Sequence, residues 1–253
     1  MIRGHSSTLV AMRAFCAVAA ASLAGIVACS SQRSQSLPSS PSSPVATIAC
    51  GRGLTASSRT TLRGIEAWCE DDRGVRTGPF ERRFPRGQLA ERGSYTTDQL
   101  DGDYASYYVS GAPHERGRYL RGQREGAWRG WHENGKPWRE ISYTAGEPSG
   151  RWLEFDYAGA TMFDGNYRDG RLEGAWRTWF RNGAPRASGT SVTGKLEGPA
   201  TEYLDTGRHT EALYQNNRRH GTWVYFDKAG KVLGRAEYAD GVLQHFTRSD
   251  DAH

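Results

Sequence analysis

The chain is poor in cysteine, methionine and lysine: four cysteines, three methionines and a basic set of 33 that is almost entirely arginine, in 253 residues. Four cysteines are too few for a disulfide-dense mini-scaffold. No apolar run approaches the 20 or so residues that carry a helix across a bilayer. Catalytic and metal-binding signatures are equally scarce. His114, His132, His209, His220, His245 and His253 are dispersed in different registers, without a His-Glu-x-x-His or any pair at ligand spacing. No Gly-Lys-Ser/Thr follows the glycine-rich stretches, so they supply no phosphate loop. These absences argue against an enzyme, a metal centre and a cofactor. The formal net charge of +5 is too small an excess to argue for nucleic acid. Helical periodicity is missing, and 31 glycines would penalise helix by up to about 1 kcal/mol each relative to alanine.

What is present begins with a leader. Arg13 precedes an alanine-rich apolar run over residues 14–28 that ends Ile26-Val27-Ala28-Cys29. A basic start, a short apolar core and a small residue before the cut describe a secretory signal, here residues 1–28. The last four residues resemble the lipobox of bacterial lipoproteins, and the resemblance implies lipidation of Cys29, with Ser30 after it favouring the outer membrane. A simple signal peptide without lipid is the plainer alternative. Loss of Arg3 and Arg13 with the leader leaves 31 basic residues against 28 acidic ones. Residues 29–49 are mostly Ser, Pro and Gln, a composition with little to bury, and read as a disordered tether.

Cys16 lies in the leader and Cys29 is spoken for, which leaves Cys50 and Cys69 as an even pair in an exported chain, the pattern of a disulfide. Residues 50–77 then form a cap whose sheet edge this bond pins. Cys69 aligns with the repeated glycines Gly93, Gly117, Gly165 and Gly189.

Residues 78–243 are seven copies of one unit. Gly78, Gly102, Gly126, Gly150, Gly174, Gly198 and Gly221 open the copies at a spacing of 24 that shortens by one before the last. Self-similarity at this period marks a repeat architecture, with stability roughly a sum over units and interfaces. An aromatic follows two residues after the opening glycine in all but one copy, among them Trp128, Trp152, Trp176 and Trp223; Ala200 is the exception. Asn134-Gly135 between aromatic-bearing runs predicts a hairpin with a type I′ turn, which needs positive φ at both central residues. Arg121-Gly122, Ala145-Gly146, Asp169-Gly170 and Asp240-Gly241 return the chain to the next unit. The fold class is therefore all-β, an elongated twisted antiparallel sheet of tandem hairpins, followed by a polar tail over residues 244–253.

Strand residues alternate between faces, so Trp128 and Trp131, three apart, belong to opposite faces. The same offset gives two rows. One holds Trp128, Trp152, Trp176 and Trp223 with Tyr95, Tyr119, Tyr143 and Tyr167 and is read as structural, since glycines beside these tyrosines let rings lie over the backbone. The other, Tyr107, Trp131, Phe155, Trp179, Tyr203 and Phe226, is the candidate binding row. Glu125, Glu173 and Glu197 recur at multiples of the repeat, a row that suits either a cation or ordinary turn-flanking charge.

The pattern Glu-Gly-x-Trp-x-x-Trp/Tyr, then Asn-Gly, then Tyr-x-x-Gly, resembles the variant MORN repeat over about two-thirds of the chain. That resemblance implies rows of hairpins and a noncatalytic recognition or scaffolding role. Two ligand classes fit: an envelope protein docked along the ribbon, or a glycan, peptidoglycan or polysaccharide, stacked on exposed rings. Some relatives are described as antitoxin components, but a lipid-anchored exported chain would not meet a cytoplasmic toxin. Ala200 and Ser191, where neighbouring units carry aromatics, weaken the structural row near residues 183–207.

Overall fold

The computed structural model describes residues 48–249. The leader, the lipidation of Cys29 and nearly all of the tether lie outside the described residues. Twenty strands and no helix make up the described part. The cap hairpin is β1 (Thr55–Thr61) and β2 (Gly64–Glu70). The repeats follow as β3 (Arg76–Arg83) and β4 (Leu89–Thr96); β5 (Gln99–Leu100), β6 (Gly102–Tyr107) and β7 (Pro113–Leu120); β8 (Gln123–Trp131) and β9 (Pro137–Thr144); and β10 (Glu147–Phe155) and β11 (Thr161–Arg168). Then come β12 (Arg171–Trp179) and β13 (Pro185–Val192); β14 (Lys195–Leu196), β15 (Gly198–Tyr203) and β16 (His209–Gln215); and β17 (Arg218–Arg219), β18 (Gly221–Phe226), β19 (Val232–Ala239) and β20 (Val242–Arg248). Every pairing is antiparallel and joins chain neighbours or, at β4–β6, β13–β15 and β16–β18, strands separated only by a two-residue strand, in one open meander. The polar tail is shorter than its composition suggests: residues 244–248 continue β20 beside β19, because backbone pairing does not need an apolar side chain.

The turn within each hairpin differs from the sequence expectation. At Asn134-Gly135 only the glycine has positive φ, 82°, and its N–H donates to the His132 carbonyl. This is a type I turn closed by a left-handed glycine, and the pairing slips by one residue beside it, between Gly130 and Trp131. The type I′ turns lie between units. Arg121 and Gly122 have φ of 49° and 80°, Ala145 and Gly146 have 50° and 83°, and Thr97-Asp98, Thr193-Gly194 and Asn216-Asn217 repeat the geometry. The missing residue in the sixth unit removes that slip: Tyr203 pairs with His209 and Glu202 with Thr210 without a shift. A deletion at the slip leaves the faces in phase.

Strand partners share a face, so the register sorts the side chains. Phe80, Tyr95, Tyr104, Tyr119, Trp128, Tyr143, Trp152, Tyr167, Trp176 and Trp223 share one face, here the spine face. Trp128 has no exposed surface although the sheet is a single layer. Its ring lies against Gly117, where a Cβ would overlap it, and Tyr119 and Tyr143 meet it edge-on at 5.1 and 6.2 Å between centroids. The Arg124 guanidinium closes the other side, 4.0 Å from the ring centre. Rings on glycine, roofed by arginine, replace the second layer that a sandwich would use.

The cap departs from the repeat by one residue. Trp68 pairs with Phe80 and so takes the spine position, which places Cys69 on the opposite face, not in the glycine position its alignment suggested. Cys69 is fully buried and bonded to Cys50, with Cα atoms 5.6 Å apart. Ile48 packs on Ile65 and Ala67 beside it. The residues that approach the sheet from its N-terminal side thus cover the reverse face of the first hairpin.

Candidate binding face

Tyr107, Trp131, Phe155, Trp179, Tyr203 and Phe226 follow, by one or two residues, a partner of known face, and all point to the reverse face. Each is half-buried. The row is not uniform. Arg92 lies over the Tyr107 ring at 5.9 Å and Arg116 over the Trp131 ring at 5.8 Å, each arginine coming from the preceding hairpin. Between Phe155 and Trp179 the surface opens into a shallow groove of ≈ 430 Å³ that Leu153 and Thr161 also line. Its charged wall is the Arg151–Asp164 pair, two hydrogen bonds of 2.9 Å, and the guanidinium holds the Asp164 carboxyl below its ordinary value. Farther on, His209 is stacked between Tyr203 and Phe226 at 5.3 and 4.4 Å. It occupies the position that proline holds in three other units, and nothing in its spacing marked it.

The arginine caps carried a signal in the sequence. Arg92 and Arg116 stand 24 residues apart, each 15 before the ring it covers.

Trp128, Tyr143 and Trp223 are buried; Tyr95, Tyr119, Tyr167, Trp152 and Trp176 are half-buried. The indole N–H of Trp128 donates to the Arg118 carbonyl and that of Trp223 to the Leu213 carbonyl, both at 3.1 Å. Trp176 finds no such acceptor. It lies one strand from Ser191 and two from Ala200, where the spine lacks large rings. On the same face Glu115 is nearly buried and bound by Arg124 at 2.7 Å and by Arg139.

The recurring carboxylates have a structural role. Glu125 accepts from the Ala145 N–H at 2.9 Å, Glu173 from Thr193 at 2.7 Å and Glu197 from Asn216 at 2.8 Å; Asp101 does the same for Arg121 at 3.1 Å. Each N–H belongs to the first residue of a type I′ turn, so a carboxylate of one unit braces the strained turn that ends it. Among the described residues no group of three or more His, Cys, Asp and Glu converges to hold a metal.

No curated protein matches the chain in sequence. The MORN repeat variant family matches residues 124–145 and 219–240. Both stretches start on an arginine that roofs a buried tryptophan, Arg124 over Trp128 and Arg219 over Trp223, and end on the first residue of an inter-unit turn. They are the copies whose tryptophan is buried. The chain carries repeats of the MORN repeat variant family, set in one antiparallel sheet of hairpins and suited to a repeat-based binding or scaffolding role.

Proposed function

We propose that this is a noncatalytic cell-envelope lipoprotein, anchored through Cys29 to the outer membrane, whose reverse face docks an envelope protein. The leader and the Ile26-Val27-Ala28-Cys29 run support the anchor. The observation that carries the choice of ligand is the state of the ring faces. A sugar stacks on a free aromatic face, whereas Arg92 and Arg116 already lie over Tyr107 and Trp131 and His209 fills the space between Tyr203 and Phe226. Half-buried aromatics beside arginine are the composition of protein hot spots. The groove between Phe155 and Trp179, where ring surface borders open space, favours the glycan reading at that one place.

In-cell crosslinking of the tagged full chain, followed by mass spectrometry, tests this against a Trp131→Ala/Trp179→Ala variant. The expected result is a discrete envelope protein captured by the parent and lost from the variant. Retention on purified sacculi with no protein captured would overturn it.

A further inference from the structure

One row of the reverse face is strongly and unevenly charged. Arg92 pairs with Ala105, and Ala105 with Arg116. Arg116 in turn sits directly opposite Arg129 on the next strand. Like charges in that position are destabilising, by a few tenths of a kcal/mol to about 1 kcal/mol. Arg92 and Arg116 are exposed and form no ion pair with any described residue, and Arg129 is only loosely paired with Glu140, at 3.7 Å. Some arginines elsewhere on the sheet are closely matched, as at Arg82–Glu91 and Arg151–Asp164, while Arg118 and Arg177 are exposed and form no ion pair with any described residue; Glu81, opposite Arg92 on β3, is engaged by Arg83. The residue between Arg92 and Arg116 is small: Ala105, 6% exposed, floors a depression of ≈ 270 Å³ walled by the two guanidinium-bearing chains. Asp103 borders it on one side. The stacking of Arg92 on Tyr107 and of Arg116 on Trp131 fixes both chains in place, which lowers the entropy lost when their N–H groups are engaged.

We propose that this cleft binds an acidic, extended segment of a partner protein, a carboxylate entering between Arg92 and Arg116 above Ala105 and a second meeting Arg116 and Arg129. The proposal rests on the reading that the reverse face recognises protein. Arg92 and Arg116 stand two strands apart, about 9.6 Å at ordinary strand spacing, and a segment in the extended polyproline II conformation advances about 9.3 Å in one three-residue turn, with every third side chain on the same side. Acidic residues at every third position therefore keep step with the arginines. The intervening residues fall against the edges of Tyr107 and Trp131. An anionic polysaccharide would share the charge, but the ring faces it would stack on are those the arginines cover.

The test is fluorescence anisotropy on the full mature chain with a labelled peptide carrying Glu at every third position and Ala or Leu between. Binding that strengthens at low salt is expected, with no binding of the Gln counterpart. Arg92→Ala/Arg116→Ala should weaken it about tenfold or more, as loss of two charge-assisted contacts requires. The control Arg171→Ala/Arg218→Ala, equal in charge and placed on exposed positions of other strands, should change it less than about twofold. Ala105→Glu provides a second discrimination: a resident carboxylate should raise the unfolding temperature and abolish peptide binding together. Equal losses in both arginine variants, binding of polygalacturonate but not of peptide, or no peptide binding at millimolar concentration would each overturn the proposal. If the Trp131→Ala/Trp179→Ala variant loses a cellular partner that Arg92→Ala/Arg116→Ala retains, the scaffold reading stands and this inference falls.

Discussion

Trp128 packs its ring flat against Gly117, and the two show what a single residue can do in a one-layer sheet. Trp128→Ala should cost about 3 to 5 kcal/mol, the range for a buried aromatic, measured by urea unfolding. Gly117→Ala should cost about 1 to 3 kcal/mol through overpacking, because its Cβ would overlap the indole. In the Trp128→Ala background the second substitution should be close to neutral, a coupling that a double-mutant cycle reads directly. Titration offers a second residue-scale test. Burial and a hydrogen bond to Glu202 push the Tyr214 phenol up to about 12 from 10.0. Its folded value lies above its unfolded one, so its contribution to stability is complete below pH 10.0 and is lost as pH rises through about 12. The unfolding temperature should fall over that window, and Tyr214→Phe should reduce the fall.

At the scale of the hairpin, the inter-unit turns hold the strain and the recurring carboxylates answer it. Thr193 is a β-branched residue at φ 51°, a conformation that glycine adopts without the steric cost of a Cβ. Thr193→Gly should therefore raise stability, by about 1 kcal/mol, whereas Glu125→Ala should lower it by about 1 kcal/mol by leaving the Ala145 N–H without its acceptor. Thermal unfolding of each variant checks both signs. Reduction of Cys50–Cys69 should lower stability by about 3 kcal/mol in the chain-entropy account, with β1 and β2 losing hydrogen-exchange protection before the repeats. The hairpins, their number and the disulfide were legible in the sequence because glycine spacing and cysteine parity report on backbone and covalent constraints. Turn type was not. Asn-Gly suits a type I′ turn in isolation, but a slipped register beside Trp131 makes a type I turn with a left-handed glycine close the hairpin instead. The Glu row read ambiguously for a related reason: its partner is a backbone N–H 20 residues away, which no side-chain pattern records.

Across the whole described sheet, buried apolar side chains cluster in three places: under the cap at Ile65 and Ala67, around Trp128, and around Trp223. Between the last two, the stretch with Trp176 and Ser191 has no such cluster, and the Trp176 indole lacks an acceptor. Stability in a repeat array is carried by neighbours. Hydrogen exchange should therefore be fastest, among interior strands, in β12 to β14. The division of aromatics between two faces could be read from their three-residue offset. Which ring faces are free could not, because that depends on Arg92, Arg116 and His209, residues brought over the rings by register between hairpins.

The reverse face, and not the spine face, is proposed as the recognition surface. A photo-crosslinking amino acid placed in the full chain in living cells at reverse-face positions, Arg177 and Thr201, and at spine-face positions, Arg82 and Glu202, separates the two most directly. One envelope protein should be crosslinked from Arg177 and Thr201 and absent from Arg82 and Glu202. Capture from the spine-face positions alone, or equally from both faces, would contradict it.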